Sequence, residues 1–153
     1  LFRDWRYNKD GSLKADFPLN DSTYSGKILV AGKNFGSGSS REHAAWSIYD
    51  YGFRIVVSSF FADIFKNNAL NNGLLPVVVT PEFLQKIFDD IERNPKALFI
   101  ADLEKQTFTI SSTGESEKFE INQYKKHCLK NGLDDIDYVV KMKDEIREFE
   151  KNT

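Results

Sequence analysis

Ser39-Ser40-Arg41-Glu42-His43, reached through Gly36-Ser37-Gly38, gathers two hydroxyls, a guanidinium, a carboxylate and an imidazole in five consecutive residues. These types suit anion chemistry. Hydroxyls donate hydrogen bonds to an oxyanion, and the planar fork of an arginine binds a carboxylate with two parallel bonds. The three glycines of residues 32–38 allow positive φ and close approach of the backbone to a ligand. The spacing Ser39-x-x-Glu42 matches a capping box, in which the serine side chain accepts the amide three residues on and the glutamate reaches back. A helix opening there leaves unpaired amides and the positive end of its macrodipole at Ser39. That environment favours a carboxylate, a phosphate or a developing oxyanion. Taken alone, these residues carry two readings: an anion site, or a helix cap beside a surface arginine that gains little from an ion pair.

A strand must lead into this turn and a helix must leave it. Lys27–Ala31 is short, apolar and bounded by turn residues, the pattern of a buried strand, and Ser40–Tyr51 is helix-forming up to the terminator Gly52. Phe53–Ser58 then reads as a second buried strand, Phe60–Asn72 as a helix closed by Gly73, and Leu74–Val79 as a third strand, with Pro76 restricting it to an edge or a strand start. Thr80-Pro81 opens a helix in which Phe83, Ile87 and Ile91 recur at helical spacing until Asn94-Pro95. This alternation of strand and helix is the signature of an α/β layer. Short strands at Ala97–Asp102, Thr107–Ser111 and Glu117–Ile121 follow, paired as hairpins through turns such as Ser112-Thr113-Gly114. Two helices, Asn122–Lys130 and Lys143–Glu150, close the chain. Residues 8–25 are polar and read as a surface loop.

Composition narrows the function classes. At 153 residues, 41% hydrophobic and 29% charged, residues 1–153 read as one domain with a substantial core. A net charge of −2 with scattered Lys and Arg excludes a nucleic-acid stripe or a membrane patch as an expectation. Cys128 is the only cysteine, which rules out an intrachain disulfide and fits a reducing, cytoplasmic compartment. The opening Leu1-Phe2-Arg3-Asp4-Trp5 reads as the middle of a longer chain, so an N-terminal segment of the natural protein is expected upstream.

Other candidates are weaker. His127 and Cys128 are neighbours on one helix and diverge, a poor metal pair, so a packed thiol and a capping imidazole are expected. His43 is expected to make a structural hydrogen bond. The pairs Asp89-Asp90 and Asp134-Asp135 fit a solvated surface better than acid/base work, and the Phe60–Phe65 stretch fits core better than a cofactor box.

Three blocks in order carry a resemblance: Asn34 to Ala45, then Ser58 with Phe60-Phe61-Ala62-Asp63-Ile64-Phe65, then Asn72-Gly73-Leu74-Leu75-Pro76-Val77. Together they are similar to the swivelling domain of the aconitase superfamily. Asp4-Trp5-Arg6 and His127-Cys128-Leu129-Lys130-Asn131-Gly132 further resemble the family of 3-isopropylmalate dehydratase small subunits. Lys33 and Ser37 depart from the usual pattern without touching the reactive residues.

The resemblance implies an α/β chain with a three-layer β/β/α fold, acting as a hydro-lyase subunit of leucine biosynthesis that is inactive alone. Its partner would be a large subunit carrying a [4Fe-4S] cluster, and this chain would bind no metal or cofactor itself. Ser39 resembles the family's catalytic base, Arg41 its clamp on a substrate carboxylate, and Ser40 a substrate or loop contact. Asn34, Gly36, Gly38 and Glu42 would support the loop. The segment that selects the substrate side chain would lie upstream of Leu1, leaving homoaconitase and citramalate-type small subunits, and a stand-alone carboxylate-binding module, as alternatives.

Overall fold

The computed structural model describes residues 1–38 and 42–133, together with 140, 142, 143, 145, 147 and 148. In chain order the elements are α1 (Arg3–Arg6), β1 (Ile28–Val30), α2 (His43–Tyr51), β2 (Ile55–Ser58), α3 (Asp63–Asn71), β3 (Leu75–Val78), α4 (Pro81–Arg93), β4 (Phe99–Asp102), β5 (Thr107–Ile110), β6 (Ser116–Lys118) and α5 (Gln123–Asn131). Asp134-Asp135 and half of the expected helix Lys143–Glu150 lie outside the described residues.

Strands β1, β2 and β3 pair parallel in that order, with Leu29 opposite Val56 and Val56 opposite Pro76. Pro76 therefore stands on an edge strand among the described residues, as its missing amide requires. The order advances one strand at a time, and crossovers of one hand in one direction put both connecting helices on one face. That is what the packing shows. Val56 points to that face and meets Ala45 and Ile48 of α2 and Phe65 and Ala69 of α3. Val57, Leu75 and Val77 point the other way, where Phe83, Leu84 and Ile87 of α4 and Phe108 and Ile110 of β5 cover them. The two-residue period of the strands thus divides one sheet between two cores. Strands β4, β5 and β6 form a second, antiparallel sheet on the side of the core that Val57 and Val77 face. The result is the β/β/α layering. Phe65, Phe108, Ile87 and Val57 are at most 1% exposed, and each contributes about 1.5–3 kcal/mol by leaving water.

Local chemistry explains where the elements stop. The helices α2, α3 and α5 each close with the residue after a glycine bonding back five positions: Phe53 to Ile48, Leu74 to Ala69 and Leu133 to Cys128. Helix α4 begins at Thr80, whose Oγ1 accepts the Phe83 amide at 3.3 Å. Glu117 of β6 grips the same residue, accepting from the Thr80 amide at 2.6 Å and from its hydroxyl at 2.9 Å. One carboxylate therefore fastens the start of α4 to the second sheet.

Three expectations change. Asp90 is not on a solvated face but 4% exposed, because it lies one turn from Ile87 on the buried stripe of α4 and the β5–β6 turn covers it. Its Oδ1 accepts from the Ser112 hydroxyl at 2.6 Å and faces Arg93 at 3.5 Å, while Oδ2 has no partner among the described residues. Within the phenylalanine-rich stretch, Phe61 and Phe65 are core but Phe60 and Ile64 are about half exposed, since they point away from the sheet. Finally, residues 8–25 are not all loop. A 3-10 turn forms at Pro18–Asn20, and Asn20 ties it to the chain after α1 by donating to the carbonyls of Arg6 and Lys14 at 2.7 and 2.9 Å.

Candidate active site

The glycine loop leaves the carboxyl end of β1, where open parallel sheets place their ligand sites. Ala31 still pairs with Val57 at 2.9 Å, and the loop starts at Gly32. Ser58, fully buried at the end of β2, directs its hydroxyl at the Gly32 carbonyl at 2.8 Å and the Phe60 carbonyl at 3.1 Å. A parallel bridge between Phe35 and Phe61 continues this contact past the strands. Asn34 takes a left-handed conformation, φ 65°, and its carbonyl accepts from the Ser37 amide at 3.2 Å and the Ser37 hydroxyl at 2.6 Å. The turn is thereby closed on itself.

Gly36 is the position that demands glycine. Its φ is +80°, and a Cβ there would stand 2.7 Å from Cβ of Phe65. Phe35, Phe61 and Phe65 pack around this point with ring centroids 5.4–6.4 Å apart. Gly38, by contrast, has open space around it. The loop is therefore laid on the first turns of α3, and the aromatic cluster under it fixes its height above the sheet.

Ser39, Ser40 and Arg41 lie outside the described residues. The chain on their far side is described. Glu42 precedes α2, which runs from His43, three residues later than the expected start at Ser40. Its carbonyl accepts the Trp46 amide at 3.1 Å, and its carboxylate accepts from Nδ2 of Asn72 at 3.2 Å. The capping box placed Glu42 three residues inside the helix. It stands at the N-cap position instead, in helical φ and ψ, with its side chain turned to α3. His43 meets Trp46 edge-on at 6.0 Å, and its ring makes no hydrogen bond among the described residues where a structural one was expected. Glu42, His43, Trp46 and Asn72 line a cleft of about 290 Å³. A larger cleft of about 860 Å³ is lined by residues including Lys66, Pro76, Gln106 and Lys125, and takes none from the loop.

Sequence reasoning missed Ser58, Phe65 and Asn72 as supports of the loop. All three fall in the second and third blocks of the resemblance, which was the available signal.

An iron–sulfur cluster needs several thiolates. The sequence has one cysteine, and Cys128 is 3% exposed within α5, so the donors of this chain do not fit such a group. No group of three or more His, Cys, Asp or Glu among the described residues is placed to hold a metal ion. No helix among the described residues is long and apolar enough to cross a membrane.

Residues 1–82 match the family model described as the aconitase C-terminal domain. A glycine loop at the carboxyl end of β1 in a β/β/α fold, with that match, defines a domain of the aconitase superfamily. The chain is 61% identical over 153 residues to the 3-isopropylmalate dehydratase small subunit of Cytophaga hutchinsonii, covering all of this chain and 76% of that one. It is 52% identical over 151 residues to the protein of the same name from Karelsulcia muelleri, covering 99% and 76%. The crystal structure of 3-isopropylmalate dehydratase from Methanocaldococcus jannaschii superposes with a TM-score of 0.65 at 29% identity, over 85% of this chain and 74% of that one. The chain belongs to the family of 3-isopropylmalate dehydratase small subunits, hydro-lyase subunits of the aconitase superfamily.

Proposed function

We propose that this chain supplies one half of the active site of a 3-isopropylmalate dehydratase, the other half coming from a large subunit. The reaction interconverts 2- and 3-isopropylmalate in leucine biosynthesis by removing water to give an alkene and adding it back at the neighbouring carbon. Ser39 takes the proton from carbon as an alkoxide, and returns one in the reverse sense. An isolated serine hydroxyl is far too weak an acid for this, so nearby donors must stabilise the anion. Arg41 holds a substrate carboxylate through its fork, and Ser40 bonds substrate or loop. Asn34, Gly36, Gly38 and Glu42 hold the turn. A [4Fe-4S] cluster on the large subunit would supply Lewis-acid chemistry for the departing hydroxyl. A cytoplasmic setting belongs to this reading, supported by the single buried cysteine.

The observation that supports the reading most is the seating of the glycine loop. Gly36 rests on Phe65 in the loop that leaves the carboxyl end of β1, the edge where such folds bind ligands, and precedes Ser39 by three positions in sequence. The test is reconstitution with the large subunit, following alkene absorbance from 3-isopropylmalate. Ser39→Ala is expected to lower kcat by about 10²–10⁴-fold. Arg41→Lys is expected to raise KM and lower the rate, because a point charge does not replace a fork. Near-full turnover of Ser39→Ala overturns the base assignment. Tight binding of isopropylmalate by the isolated chain would favour a stand-alone binding module instead.

A further inference from the structure

Helix α3 holds both flanks of residues 39–41. Phe65, in its first turn, carries Gly36 on one side. Asn72, at its closing end, holds Glu42 on the other. The Asn72 amide is well suited to this. Its backbone N–H bonds to the carbonyls of Asn68 and Ala69, both at 3.1 Å, so its position is set by the helix end. Its Nδ2 donates to the Asn68 carbonyl at 2.8 Å, which fixes the rotamer, and to Oε1 of Glu42 at 3.2 Å. Glu42 in turn is fixed from two sides, by its carboxylate to α3 and by its carbonyl to the first turn of α2. The residue that follows Arg41 is therefore tied to both helices of this face.

We propose that Asn72 is a positioning residue for the reaction, acting through Glu42 to set where Arg41 and Ser39 stand. This rests on the roles given above to Ser39 and Arg41. It also gives a task to the third block of the resemblance, which the reaction itself does not use. Small displacements of reacting groups are costly, and a shift of about 1 Å from a residue remote from the chemistry lowers rates on the order of 100-fold.

The experiment uses the chain reconstituted with the large subunit and, in parallel, amide hydrogen exchange across residues 36–43 of the chain alone. Asn72→Asp keeps the shape, removes the donor and opposes the Glu42 carboxylate with a second one. It is expected to lower kcat on the order of 100-fold and to speed exchange across residues 36–43. The double variant Asn72→Asp with Glu42→Gln restores the bond with donor and acceptor exchanged, and is expected to recover turnover by about tenfold, as coupled neighbours do. Unchanged kcat and exchange in Asn72→Asp overturn the proposal. So does a loss that the double variant leaves unrepaired, since Asn72 would then act only by ending α3. If Asn72→Asp does not fold, Asn72→Ala removes the donor without adding charge, and the same two readouts decide. Ser39→Ala is measured alongside. Full activity in that variant rejects the Ser39 role, whereas an inactive Ser39→Ala beside a fully active Asn72→Asp rejects only the role of Asn72.

Discussion

Gly36→Ala tests most directly whether the loop is built onto α3. The backbone at Gly36 has φ +80°, and an added Cβ would lie 2.7 Å from Cβ of Phe65, a side chain 1% exposed. A left-handed conformation costs a non-glycine residue about 1–2 kcal/mol. Forcing a methyl into a close-packed contact costs about 1–3 kcal/mol more. If the core holds its shape, the variant is therefore destabilised by about 2–5 kcal/mol. At about 2–4 °C per kcal/mol for a chain of this length, Tm falls by roughly 4–20 °C. If the loop yields instead, Tm falls less, but the segment entering Ser39 moves and turnover with the large subunit drops on the order of 100-fold. The assay is a thermal melt of the isolated chain paired with alkene absorbance of the reconstituted complex. Gly38→Ala is the stability reference in the same loop, since its surroundings are open, and its Tm is expected to differ by at most about 1 kcal/mol equivalent. A Gly36→Ala variant with wild-type Tm and wild-type turnover refutes the argument, because neither the core nor the loop would then have been strained.

Three further outcomes follow from the fold. Asp90→Ala strands the Ser112 hydroxyl against α4 and is expected to cost about 1–3 kcal/mol, read as a lower urea midpoint at constant m. Thr80→Ala and Glu117→Gln each weaken the start of α4 by about 1 kcal/mol, and because the two residues share bonds the double variant is expected to lose less than both singles together. Lys130, which donates to Glu104 and adds its charge, holds that carboxyl below its ordinary value, with Lys126 contributing at 3.9 Å. The lowered value means this contribution is fully present above the ordinary carboxylate value and is lost as pH falls through the lowered one. Melts of Glu104→Gln and wild type are therefore expected to differ near neutrality and to converge in acid, and a gap that widens in acid would contradict the sign.

The elements and their order were readable from residues alone where a local rule sufficed. Gly52 and Gly73 marked two helix ends because a closing residue with positive φ is cheap only for glycine. Thr80-Pro81 marked the start of α4, and the apolar runs at Ile28, Ile55 and Leu75 marked buried strands, because the strands of the parallel sheet they form are covered on both faces. Asp90 was not legible, since its burial depends on which turn lies over α4 and not on its own neighbours in sequence.

The same division holds at the candidate site. The sequence by itself determined that three glycines precede two serines and an arginine, and hence that the backbone there can turn sharply and present donors to an anion. Why Gly36 in particular must be glycine, that the Glu42 carboxylate turns to α3, and that Phe65 and Asn72 hold the two flanks of residues 39–41 emerge only from the packing. Conformational freedom is a property of the residue and travels with the sequence. A contact between residues 29 or 30 positions apart exists only once the sheet has brought the loop and α3 to the same face.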